Sequence, residues 1–155
     1  MADELADGVA ALQDATRVLT GVALRSLEVL EGTVSLPQFR VLSVLAELGR
    51  ARSARVAAAL GLEPSTVTRL IDRLEAAGHV TRVMDPSNRS AVILELSPSG
   101  HHLVSDVAAW RQQELRRILL RLPTENRTMV PGVLQRLVEA AGEGYGTVPH
   151  SPVPL

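Results

Sequence analysis

At Gly78 the spacing of apolar residues changes from a helical repeat to a strand-like one. Upstream, Val67, Leu70, Ile71 and Leu74 recur at i, i+3, i+4 and i+7. That is the buried stripe of a helix over residues 64–77. Downstream, His79-Val80-Thr81-Arg82-Val83 and Ala91-Val92-Ile93-Leu94-Glu95-Leu96 read as two strands. The segment between them, Asp85-Pro86-Ser87-Asn88-Arg89-Ser90, is made almost wholly of turn residues, so the strands close as a hairpin. Pro64 fits a first helical turn, where its missing N–H costs nothing, and Gly78 fits the stop. A helix leading straight into a hairpin admits few folds.

The residues before this unit narrow the choice further. Ser35-Leu36-Pro37-Gln38 has the form of a capping box, with Ser35 as N-cap and Gln38 reaching back. Phe39, Val41, Leu42, Leu45 and Leu48 give that helix its buried face, and Gly49 ends it. Ser53 is expected to cap a short helix with Val56, Ala57 and Leu60 inward, and Gly61-Leu62-Glu63 is a tight turn. Helix, turn, helix and hairpin together make a winged helix.

Long helices flank it. Residues 4–31 carry a narrow seam at Leu5, Val9, Leu12, Thr16, Leu19, Ala23, Leu27 and Leu30, which suits pairing with a second chain. Ser97-Pro98 starts a helix to about Arg121, and Pro123-Thr124 breaks it. A last helix reaches about Gly142 with a stripe from Val130 to Ala141, and Pro131 inside it predicts a kink or a fresh start. The expected fold is mainly α with a small β-hairpin: a winged helix over about 35–97 flanked by dimerisation helices over about 4–31 and 98–141. Residues 1–141 then form a single domain, and the Gly- and Pro-rich residues 142–155 a flexible tail.

Composition excludes several classes. There is no cysteine among the 155 residues, which rules out disulfides, thiolate zinc sites and cysteine nucleophiles. No glycine-rich phosphate loop, Gly-x-Ser-x-Gly elbow or His-Glu-x-x-His motif occurs. The reading is therefore no enzyme, no catalytic residue, no cofactor and no metal. The chain lacks both a secretory signal and an apolar run of membrane length, so a cytoplasmic location is expected. All 16 cations are arginine, as a GC-rich bacterial genome would favour.

Charge is unevenly placed. Residues 1–49 sum to −4, residues 50–89 to +3 and residues 90–155 to zero. The basic middle coincides with the winged helix and suits a polyanion. On the helix of residues 64–77 the side chains left outside the stripe include Ser65, Thr66, Thr68, Arg69 and Arg73. A helix fits the DNA major groove and reads it chiefly from its N-terminal half. Hydroxyls bond phosphates or bases, and arginine grips guanine with two parallel bonds. Arg82 and Arg89 in the hairpin complete the expected DNA-binding set.

The core resembles the multiple-antibiotic-resistance-regulator (MarR) family of bacterial winged-helix transcription factors. The resemblance lies in LPQFRVLSVLAELG (36–49), VAAALGLEPSTVTRLIDRLEAAGHVTRVMDP (56–86) and AVILELSPSG (91–100). With the flanking helices it spans about residues 5–141. It implies a homodimer binding a palindromic operator on double-stranded DNA, and a repressor released by a small, often phenolic, acid. The wing departs from the family pattern. Where an Asp and an Arg that enters the minor groove are usual, this chain has Asn88 and Ser90, with Arg89 between them. Arg89 is then the expected wing contact, with Asp85 as a partner, on a less rigid wing.

Other constellations keep rival readings open. Phe39, Arg40, His102 and Trp110 could line an effector pocket, or Phe39 and Trp110 could be plain core. His102 and Asp106, four apart, could be half a metal site, which would make the chain a metal-responsive regulator. A winged helix can also serve protein–protein contact, though such a wing needs no cationic reading face.

Overall fold

The computed structural model describes residues 2–85 and 88–142, with the backbone alone at 2 and at 88–90. It contains six helices and three strands among these residues. Helix α1 (Ala2–Ser26) continues into a 3-10 turn (Leu27–Leu30) that ends on Glu31 in the left-handed region. Then follow α2 (Leu36–Leu48), β1 (Arg50–Ala51), α3 (Ser53–Leu60), α4 (Pro64–Ala76), β2 (Val80–Asp85), β3 (Asn88–Leu96), α5 (Pro98–Arg121) and α6 (Thr124–Ala141). The fold is mainly α with a small antiparallel sheet, a winged helix set between long helices.

Local chemistry explains most boundaries. At α2 the capping box forms: Gln38 N–H donates to Ser35 Oγ, and Gln38 Oε1 accepts from Ser35 N–H at 2.8 Å. At the end of α4, Gly78 takes a positive φ. The N–H groups of Gly78 and His79 then close on the carbonyls of Glu75 and Leu74, satisfying two orphan acceptors of the last turn. Ser97 caps α5 by accepting from Gly100 N–H at 3.1 Å.

Three boundary expectations need correcting. The N-cap of α3 is Arg52, which makes no side-chain cap bond, and Ser53 is already helical. The strands run further toward the turn than their apolar stretches, reaching Asp85 and Asn88. Helix α6 passes through Pro131 as one element and does not start afresh.

The sheet order is β1-β3-β2, both pairings antiparallel. Val80 lies opposite Leu96 and Val83 opposite Ile93, with an irregularity between Met84 and Asp85. Edge strand β1 joins through Arg50 opposite Glu95 and Ala51 opposite Leu94. The core gathers Val41, Leu42, Val44 and Leu45 of α2, Val56 of α3, Val67, Ile71 and Leu74 of α4, and Val80 and Leu94 of the sheet, all essentially buried. It fixes α4 from behind and leaves its other face open.

The outer layer is different. Leu5, Val9, Leu12 and Leu19 of α1 are exposed, as are Met129, Val133, Leu134, Leu137 and Val138 of α6. Helix α6 buries no residue at all within one chain. No helix among the described residues is long and apolar enough to cross a membrane.

Candidate nucleic-acid interface

Helix α4 turns Val67, Leu70, Ile71 and Leu74 into the core. Ser65, Thr66, Thr68, Arg69, Asp72 and Arg73 are exposed on the remaining surface. The Thr68 hydroxyl donates to Pro64 O at 2.9 Å, so it meets a ligand with its lone pairs and methyl group. Arg69 and Arg73, four apart, share a face. Neither forms an ion pair among the described residues.

The third arginine of the expected set is placed otherwise. Arg82, on β2, donates to Asp72 Oδ1 at 2.5 Å and to Glu75 Oε2. The hydrogen bond to Asp72, with the charges of both carboxylates, outweighs desolvation and raises its pKa above the usual arginine value. Arg82 is thus engaged within the protein, while Ser65, Thr66, Thr68, Arg69 and Arg73 present one open surface. The side chain of Arg89 lies outside the described residues. Asp85 accepts from Arg52 at 2.8 Å.

Three more arginines join the basic region from places the sequence reading passed over. Arg50, Arg52 and Arg55 line a groove of about 260 Å³ with Ala51 and Ile93. Arg50 pairs with Glu95 at 2.7 Å and Arg52 with Asp85. Arg55, in the first turn of α3, is exposed and unpaired among the described residues. The regional charge sum carries this signal, but it does not say which cations find carboxylates.

The expected effector residues differ in exposure. Phe39 is buried, Arg40 and Trp110 are half-buried and His102 is exposed. Phe39 instead lines a cleft of about 50 Å³ with Ser43, Val104, Val107, Ala108 and Arg111. Arg111 donates to Ser26 Oγ at 3.0 Å, and burial lowers its pKa. Ala108 and Arg111 also border an open hollow of about 500 Å³ along α5 with Gln112, Leu115, Arg116 and Leu119. Among the described residues no group of three or more His, Asp or Glu could hold a metal ion, and His102 with Asp106 stays a pair.

A helix-turn-helix with an open cationic face, a hairpin beside it and long flanking helices invites comparison with known proteins. The family model described as "MarR family" matches residues 34–92. The HTH-type transcriptional regulator YfiV of Bacillus subtilis is 30% identical over 129 residues, 81% of each chain. The chain belongs to the MarR family. The crystal structure of RV1404 from Mycobacterium tuberculosis shares 30% identity with a TM-score of 0.79, covering 87% of this chain and 92% of that one. MepR of S. aureus, an F27L mutant bound to oligodeoxyribonucleotide, is 18% identical with a TM-score of 0.69 over 86% and 96% of the two chains. At that identity the likeness is one of fold. The chain is thus a MarR-family transcriptional regulator with a DNA-binding fold.

Proposed function

We propose that this regulator is a homodimeric repressor that binds a palindromic operator in double-stranded DNA. The observation that carries the reading is the open face of α4, where Ser65, Thr66, Thr68, Arg69 and Arg73 stand clear of the core and of internal ion pairs. That face enters the major groove, Arg89 of the wing follows the minor groove, and Arg55 meets the phosphate backbone at the start of α3. The first helix of such a pair crosses the backbone, which suits Arg55. The like-folded MepR is bound to an oligodeoxyribonucleotide, in keeping with a DNA-binding use of this fold.

The exposed seams of α1 and α6 support the homodimer, since an apolar surface of that extent is unusual on a lone soluble chain. Two chains joined there carry two reading heads, and a twofold pair of heads favours a palindrome. A repressor so placed excludes other proteins from the promoter by occupancy alone. Selection of bound duplexes from a randomised pool, followed by footprinting, tests the reading. Two inverted half-sites support it. A chain that selects no duplex overturns it.

Ligand response belongs to the same reading. The half-buried guanidinium of Arg111, lining one cleft with Phe39 and Ser43, suits the carboxylate and ring of a small aromatic acid. The cleft of about 50 Å³ must widen to admit such a molecule, and widening between α2 and α5 shifts the reading heads. Phenolic acids titrated against the selected complex should weaken it about 5–150-fold. No shift in affinity and no heat of binding would remove the effector from the proposal.

A further inference from the structure

Strand β2 is tied at two points along its length to both helices of the helix-turn-helix. On one side Arg82 of β2 spans Asp72 and Glu75 of α4, one carboxylate on each terminal nitrogen. On the other side Asp85, three residues further along β2, accepts from Arg52 at the start of α3. The Asp85 side chain is only 10% exposed, so this anchor lies inside the angle between wing and helix. The sequence beyond it, residues 86–90, holds no carboxylate.

We propose that Arg82 is a positioning residue for DNA reading: it locks β2 against α4, so that helix and wing approach the two grooves at one fixed angle. This rests on the DNA-binding reading above. A phosphate reaching for Arg82 must displace two carboxylates that already hold it. Asp72 and Glu75, for their part, would repel the DNA backbone if Arg82 did not neutralise them. The arginine thus does its work by facing the protein. Wing orientation is set along β2, by the ion pairs of Arg82 and Asp85, in a chain with Asn88 and Ser90 at the start of β3.

The test uses the full chain and the duplex that the wild type selects from a randomised pool, made with AT-rich and with GC-rich flanks. The variants are Arg82→Gln and the double variant Asp72→Asn with Glu75→Gln. Exposed ion pairs add little to stability, and circular dichroism confirms that both variants fold. Both are expected to bind about tenfold more weakly, a typical coupling for charges that act together. Both should also lose the preference for AT-rich flanks, where minor-groove width is read. For Arg82→Gln the salt dependence of binding should keep its wild-type slope. The double variant decides sharply, because removing two negative charges beside DNA would tighten binding by electrostatics alone. A slope lowered by about one per subunit in Arg82→Gln makes Arg82 a phosphate contact and overturns the proposal. So does a double variant that binds as tightly as wild type with its flank preference intact. A wild-type chain that selects no duplex is a separate result, which removes the DNA reading itself.

Discussion

Arg69 and Arg73 occupy one face of α4, yet they are suited to different tasks. Arg69 is nearer the N-terminus of the helix, where base edges are usually met. Arg73 lies a turn further back, beside Asp72, and suits a phosphate. Arg69→Ala should cost about 1–3 kcal/mol and relax the choice of one base pair per half-site. Arg73→Ala and Arg55→Ala should instead weaken all sequences alike, each lowering the salt slope by about one per subunit. Binding to matched and mismatched duplexes across a salt series separates these outcomes. An Arg69→Ala protein with unchanged base preference would show that another residue reads the base. The face of α4 was legible from sequence because a stripe at helical spacing defines its complement. The engagement of Arg82 was not, because an ion pair from strand to helix depends on the angle between elements, which no periodicity records. Arg55 stayed hidden for a related reason: a single exposed cation beside apolar positions looks like ordinary solvated surface.

Between the elements, the joint of α4, β2 and α5 is built from hydrogen bonds of backbone and side chain together. Ser97 N–H donates to His79 O at 3.0 Å, the Ser97 hydroxyl donates to Gly78 O at 2.6 Å, and His79 Nδ1 lies 2.9 Å from Ser99 Oγ. Gly100 packs against the His79 carbonyl so closely that a Cβ there would run into it. Gly100→Ala should therefore destabilise the chain by about 1–3 kcal/mol, as overpacking does. Urea unfolding measures it, and an unchanged midpoint would show that the joint gives way freely. A second joint closes α5 onto α6, where Arg127 donates to the carbonyls of Leu119, Leu120 and Leu122. The caps at Ser35 and Ser97 were legible because cap chemistry is local. Strand β1 was not, since two residues are too short for any alternation to register. The cap of α3 was misplaced because Ser53 has the favoured side chain, while the chain enters the helix one residue earlier.

Over the whole molecule, the winged helix closes its own core but the outer layer does not. Leu5 and Val138 are each 72% exposed, and Val9, Leu12, Leu19, Val133, Leu134 and Leu137 are exposed as well. Obligate dimer interfaces commonly bury more than about 2,000 Å², and the two seams together offer a surface of that kind. Removal of residues 1–31 should give an insoluble or unfolded chain, because it strips one seam and takes Val22, Ala23 and Leu30 from the buried set. Sedimentation and DNA binding of the truncated chain provide the check. A folded monomer that still binds DNA would refute the shared layer. The seam at α1 could be read from a repeat of threes and fours. The stripe of α6 could be read in the same way; the helix's unbroken passage through Pro131 could not, because a proline inside a helix predicts a kink or a fresh start.

These open seams also bear on how the regulator responds to its own abundance. If only paired chains grip an operator, the gripping form below the pairing constant grows with the square of the total chain. Halving the protein then leaves roughly a quarter of that form, by mass action alone. Operator occupancy plotted against total protein should rise with a logarithmic slope of two at low occupancy, and a slope of one would mean that single chains suffice. A cell carrying such a gene would register a change in its copy number, or a pause in its synthesis, as a disproportionate loss of control.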